Sequence, residues 1–424
     1  MEIKKVLQPE VKPKELYAWA MYDFANSGYT TVVLTTVFSA YFVGVVAQDY
    51  DWATLLLTLT LSASYLLLML TLPAIGARAD QFSRKKMVLF FSTLFCVVGT
   101  ASLAFSGPGY VAWAVIFLFM SNYAYGVGEA IIASFLPEIA RREALGRVSG
   151  WGWGFGYLGG MLTLSLAILI VAYFDHQGLG PEFSVPWVMI LTAVVFMIMA
   201  VPALVFLRQR HQDHTPQLKP RFMLAQVWQS VKGCRQTQPN LFRLLVCGAW
   251  YHAGIAVVIT LSAVYASQVM GFSMSQIMMM VFTVNLAAAV SAAAFGYVQD
   301  SLGHKKALAL TLLGWLVMVA IASTTQSVAG FWLAATCAGL CIGSSQSAGR
   351  AMVGLLAPED RLAEMYGLWA FAIQLAAIVG PLAYGLITWF SDGNHRLALG
   401  CTALFFMMGL WSLRAVRFET LATE

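Results

Sequence analysis

Charge is what this chain has least of. Only 11% of its 424 residues are Asp, Glu, Lys or Arg, and 59% are hydrophobic, whereas a soluble globular protein carries about a quarter charged residues. A chain this long and this apolar cannot hide its surface in one aqueous core, so lipid must be part of its solvent. Signatures of chemistry are missing too. There is no G-x-x-x-x-G-K-[ST] loop, so no ATPase of its own is legible, and no G-x-S-x-G elbow, H-E-x-x-H or paired C-x-x-C. The chain therefore reads as no enzyme, with no catalytic residue, metal site or cofactor. Six cysteines occur: Cys96, Cys234, Cys247, Cys337, Cys341 and Cys401. No pair falls in segments expected outside the cell, which argues against structural disulfides, and Cys337 with Cys341 reads as a pair of small core residues. Lys4, Lys5, Lys12 and Lys14 are not followed by a short apolar run with a small-residue cleavage site. The first apolar segment is expected to act as an uncleaved insertion signal.

What is present is apolar sequence in long runs. Twelve segments reach the roughly 20 residues that a spanning helix needs: 17–47, 54–77, 87–106, 111–136, 147–173, 187–207, 241–269, 275–297, 305–325, 330–356, 365–390 and 396–414. The separators are short except for 208–240, a polar linker with His211, His214, Pro216 and Pro220, whose part from Phe222 to Cys234 is amphipathic and suits a membrane surface. It divides the chain into an N-terminal half, 1–207, and a C-terminal half, 241–424. Lys and Arg fall almost wholly in one set of loops, and the opposite set holds a single one, Arg396. By the positive-inside rule both termini and the linker are cytoplasmic. The same asymmetry accounts for the net charge of +5 without a nucleic-acid partner.

The halves repeat. Gly76, Asp80, Arg84 and Lys85 close the second segment in the same pattern as Gly296, Asp300, Gly303 and Lys305 close the eighth, 220 residues later, with His304 in the place of Arg84. Repeated halves with a site between them are a transporter architecture. The two copies resemble the loop motif of the major facilitator superfamily, which implies an all-α integral membrane fold of twelve helices in two six-helix halves. A narrower resemblance covers nearly the whole chain. Trp19-Ala-Met-Tyr-Asp23-Phe-Ala-Asn26-Ser27-Gly28, Ser134-Phe-Leu-Pro137-Glu138, Gly146-Arg147-Val-Ser-Gly150 and Gly343-Ser-Ser-Gln346-Ser-Ala-Gly-Arg350 are similar to the family of autophagy-related vacuolar amino-acid effluxers, in its bacterial branch. The family's aspartate before the glycine of helix 7 is here Ala253, preceded by His252. The resemblance implies amino-acid efflux, a bacterial inner-membrane location, and a loop motif in which Asp80 caps a neighbouring helix and Arg84 locks it, with Asp300 as the weaker copy.

Ionisable residues inside a membrane cost about 3 kcal/mol or more, so they are candidates by default. Glu129 on helix 4 and Arg350 on helix 10 lie at similar depth and are expected to face one cavity, as a pair across the halves or as a clamp for the two ends of a zwitterion. Asp23 is either an interface residue or a cavity acid beside Asn26. His252 reads equally as a proton-sensitive switch or a satisfied core histidine, and Gln346 and Gln374 rank lower. Two glycine ridges on helix 5, Gly146–Gly150–Gly154 and Gly152–Gly156–Gly160, give two close packing faces. The reading is an alternating-access secondary transporter for a small polar solute, amino acids first, driven by an ion gradient with the proton as the coupling ion. A larger amphipathic cargo, such as a siderophore or drug, fits the same fold. A non-transporting receptor or lipid scramblase is the alternative of another class.

Overall fold

The structure is a computed structural model and describes residues 2–50, 52–210, 223–272 and 274–418. Among them, twelve helices have the length and apolarity to cross a membrane. They are α1 (Pro13–Val46), α2 (Leu55–Gln81), α3 (Lys85–Phe105), α4 (Val111–Ile139), α5 (Arg142–His176) and α6 (Pro181–Phe206) in the first half of the chain. The second half holds α7 (Pro239–Ser262), α8 (Met279–Leu302), α9 (His304–Thr324), α10 (Val328–Leu356), α11 (Glu359–Phe390) and α12 (His395–Leu413). The all-α twelve-helix expectation therefore holds. Of the linker, 211–222 lies outside the described residues. Met223–Thr237 is helical and docks on α2 and α7, with Cys234 fully buried and Trp228 turned outward.

Two hydrophobic cores form. One gathers Trp19, Tyr29, Phe38, Phe135 and Phe196 from the first six helices, the other Tyr251, Trp315, Phe331, Tyr366 and Phe406 from the last six. In each core, side chains from helices distant in sequence interlock, as when Tyr29 stacks on Tyr125 at 5.3 Å and Trp315 on Phe406 at 4.9 Å. Much apolar surface stays outside: Phe90, Leu169, Val205, Leu333 and Trp411 are all exposed, as suits a lipid-facing perimeter.

The first helix is not the uniform rod that its apolar sequence implies. Pro13–Tyr29 is regular, Thr30–Thr35 and Phe42–Val46 are wide π turns, and the chain breaks direction at Thr36, with φ −127° and ψ −85°. The stretch Thr-Thr-Val-Val-Leu-Thr-Thr-Val crowds β-branched side chains. Its hydroxyls also compete for the carbonyls of the ladder: Thr35 donates to Thr31 O at 2.8 Å and Ser39 to Leu34 O at 2.7 Å.

The termini, the 2–3 and 8–9 loops and the linker helix lie at one end of the bundle, the terminal face. There the halves meet closely. The two glycine ridges of α5 use both faces, as their spacing predicts. Gly146, Gly150 and Gly154 pack on Asp300, Ala292 and Ala289 of α8, while Gly152, Gly156 and Gly160 pack on Asp23, Ser27 and Thr31 of α1. A methyl group on any of these glycines meets the facing helix, so the first ridge sets the distance between the halves and the second sets the distance between α5 and α1 within the first half. Across the other seam, Gly76 of α2 lies on the Ala363–Glu364 backbone and Gly367 of α11 lies on Leu72 and Pro73.

Candidate functional site

The loop motif closes the terminal face. The Asp80 carboxylate accepts from the Glu364 main-chain N–H at 2.9 Å and so caps the start of α11, in the opposite half. Such a cap satisfies an orphan donor and places negative charge at the positive end of the helix. The cation beside Asp80 is Lys85, at 3.2 Å, not the expected Arg84, which lies over the Phe82 ring. Position explains the exchange. Lys85 opens α3, is buried, and reaches both Asp80 and Glu138, the latter at 2.8 Å, whereas Arg84 stays in the solvated turn.

Asp300 makes the mirror-image cap. It accepts from the N–H groups of Gly146 and Arg147 at 3.0 and 3.1 Å and binds Arg147 Nε at 2.8 Å, at the start of α5. With two main-chain donors and an ion pair, it is no weaker a copy than Asp80. Lys305 acts elsewhere. Its ammonium donates to the carbonyls of Arg414 and Val416, both at 2.8 Å, and finishes α12. Each half thus holds a helix of the other by its N-terminus.

Deeper in the bundle lies a second polar constellation. Arg350 Nη1 donates to Asp23 Oδ2 at 2.7 Å, joining α10 to α1 across the halves. Its Nε donates to Ser149 Oγ at 3.1 Å and its Nη2 to Ser149 O at 2.8 Å, while the guanidinium lies over the rings of Trp19 and Trp153 at 4.7 and 5.1 Å. Asp23 is 7% exposed and Arg350 6%, so this pair is out of water and held by geometry on every side. Local sequence makes the room: Gly152 lacks the Cβ that would meet Asp23 and Trp19, and the Ser149 hydroxyl is itself fixed by donating to Ser347 O.

This differs from the expected Glu129–Arg350 pair. Glu129 interacts with the hydroxyl of Tyr125, one turn earlier on α4, and at longer range with Asp23 and Arg350. Asn26 sits one turn beyond Asp23, buried, with neither its amide oxygen nor its nitrogen bonded. Gln346 accepts from the Tyr157 hydroxyl, a further link between α10 and α5. His252 stands apart: it is buried edge-on to Trp369 at 5.5 Å, with its Nε2 unbonded. Sequence reasoning missed Ser149, Trp19, Trp153 and Tyr125 as partners. Trp19 and Ser149 stand inside the stretches that carry the family resemblance, which was the available signal.

Comparison with known proteins agrees with this architecture. The profile of the family described as "Vacuole effluxer Atg22 like" matches residues 142–423, about two thirds of the chain. The MFS-type transporter YxiO of Bacillus subtilis is 25% identical over 96% of this chain and 96% of its own length. The ectoine/proline transporter ProP of Corynebacterium glutamicum is 25% identical over 61% of this chain, a stretch spanning 49% of that longer protein. In three dimensions the chain resembles the human organic anion transporter MFSD10, with a TM-score of 0.74 at 15% identity over 95% of this chain and all of the other. That likeness is one of fold.

Proposed function

The chain belongs to the vacuole effluxer Atg22-like family of major facilitator transporters, and we propose that it moves a small polar solute, amino acids first, by alternating access coupled to protons. The observation that carries this reading is the buried Asp23–Arg350 pair between the halves, with Glu129 and Asn26 beside it. Charged groups at that depth are costly in a spanning protein, and a pair that ties two rocking bodies together has a use only if it breaks and re-forms. The similarity to a protein named as an ectoine/proline transporter supports a small zwitterionic cargo.

In this mechanism the structure is the state closed at the terminal face. The excess of Lys and Arg in the terminal-face loops makes that face cytoplasmic. In an efflux cycle the halves rock so that the Asp80 and Asp300 caps open, cargo reaches the Asp23–Glu129–Arg350 constellation from the terminal face, and re-closure of the caps commits it to the opposite side. The location that follows is a bacterial inner membrane. The test is counterflow of an amino-acid panel in liposomes, with and without an imposed pH gradient. Saturable exchange, accelerated by the gradient and reduced at least tenfold by Glu129→Gln, is the expected result. Well-folded protein that exchanges no amino acid refutes the cargo and moves the search to bulkier amphipathic compounds.

A further inference from the structure

Two carboxylates face one guanidinium in the buried site, and the guanidinium is taken. Arg350 donates to Asp23 and twice to Ser149, and its plane lies over two indoles. A carboxylate arriving from a cargo would have to displace Asp23 to reach it. Glu129 is in the opposite position. Among the described residues no ion pair reaches it, its nearest polar neighbour on α4 is the neutral Tyr125 one turn earlier, and it remains partly accessible where Asp23 is not.

Asn26 stands at the same depth as Glu129. On α1 it lies between Tyr22 and Tyr29, and both of these meet α4. The Tyr22 hydroxyl lies where a Cβ on Gly128 would be, and Tyr29 stacks on Tyr125 at 5.3 Å while bonding Ser121 at 2.9 Å. The Asn26 amide, 5% exposed, is therefore held at the level of the Glu129–Tyr125 turn with its oxygen unbonded. A buried amide with no partner is costly unless something visits it.

We propose that Glu129, the Asn26 amide oxygen and the Tyr125 hydroxyl form a subsite for the primary ammonium group of the cargo, with the Tyr125 ring as its aromatic wall. An ammonium brings three donors and one positive charge. Here it meets a carboxylate, an amide oxygen and a phenolic oxygen, and a π face that favours a cation. In the terminal-closed state the site recognises the amino end, and the carboxylate end is not required for binding.

This inference rests on the transporter reading, and the test separates the two. Purified protein in detergent is titrated, by thermal shift, with three skeleton-matched sets. They are alanine, ethylamine and propanoate; leucine, 3-methylbutylamine and 4-methylpentanoate; and phenylalanine, 2-phenylethylamine and 3-phenylpropanoate. Expected are stabilisation by at least one amine and none by its matching acid. Glu129→Gln and, independently, Asn26→Ala should weaken the amine tenfold or more while leaving the ligand-free melting profile cooperative. Acids that stabilise as well as amines, or amines that stabilise neither the wild type nor any better than the variants, overturn the subsite. Amine binding without amino-acid exchange in liposomes would sink the cargo proposed above and spare the subsite. Exchange that is blocked by the acids and not by the amines would do the reverse.

Discussion

Arg350 shows how much a single side chain has to satisfy once it leaves water. Its partners are a carboxylate, a hydroxyl, a carbonyl and two indoles, drawn from α1 and α5 in the other half. Removing one partner leaves a buried charge uncompensated, at about 3–5 kcal/mol, whereas neutralising both ends of such a pair is often nearly neutral. Asp23→Asn and Arg350→Gln should therefore each lower the melting temperature by several degrees, and the double variant should be more stable than either. Additive losses in that cycle would show that the two residues do not act as a unit. All three single and double variants should lose transport. The sequence singled out Glu129 and Arg350 as intramembrane charges, as a pair or a clamp for a zwitterion, and left Asp23 either at the interface or in the cavity; the structure joins Arg350 to Asp23. Depth along a helix can be counted from its end. The direction in which a side chain leaves the helix depends on which neighbour has a notch, and here Gly152 and Ser149 of α5 make the notch beside Asp23.

At the scale of elements, the molecule is held shut by helix caps that reach across the halves. Asp80 at the end of α2 caps α11, and Asp300 at the end of α8 caps α5. The glycine four residues before each aspartate lets the two backbones touch. A methyl group at Gly76 overlaps the Ala363 carbonyl, and one at Gly296 overlaps the Gly146 carbonyl. Gly76→Ala and Gly296→Ala should each disfavour the terminal-closed state by about 1–3 kcal/mol of overpacking. The expected readout is faster alkylation of a cysteine introduced at Ser347, which is buried at the seam. Gly385→Ala on α11 meets nothing within 4 Å and is the control: unchanged labelling there, and a helix that is stabilised if anything. Equal labelling in all three variants would refute the latch. Helix existence was legible throughout, because 20 apolar residues have few other uses. The wide turns of α1 were not, because a Thr–Val run is equally apolar whether its hydroxyls bond the ladder or face lipid.

The whole molecule is two cores joined by close contacts on one face and a polar constellation between them. The repeat and the polar linker made the two-half plan readable from sequence, but which face is shut is a property of packing that no linear pattern states. The contacts that stay within a half at the opposite face, such as Tyr41 with Ser106 and Tyr265 with Ala322, tie helices of each body together without tying the bodies to one another. Spin labels at Arg84 and Asp360 on the terminal face, and at Gln48 and Trp389 on the opposite face, should report this. Under exchange conditions a second population should appear with the first distance longer and the second shorter. Distances that change together, or neither changing, would rule out rocking. The uneven build of α1 gives the two gates different mechanical characters. In the proposed cycle its regular part, Pro13–Tyr29, which carries Asp23, would move as a strut and the terminal face would open as a hinged block. Its far part, with two widened turns and a break at Thr36, would bend like a leaf spring. Bilayer thickness and tension act on the springy end first, so the speed of a full cycle should track the lipid in which the protein sits even when affinity for cargo does not.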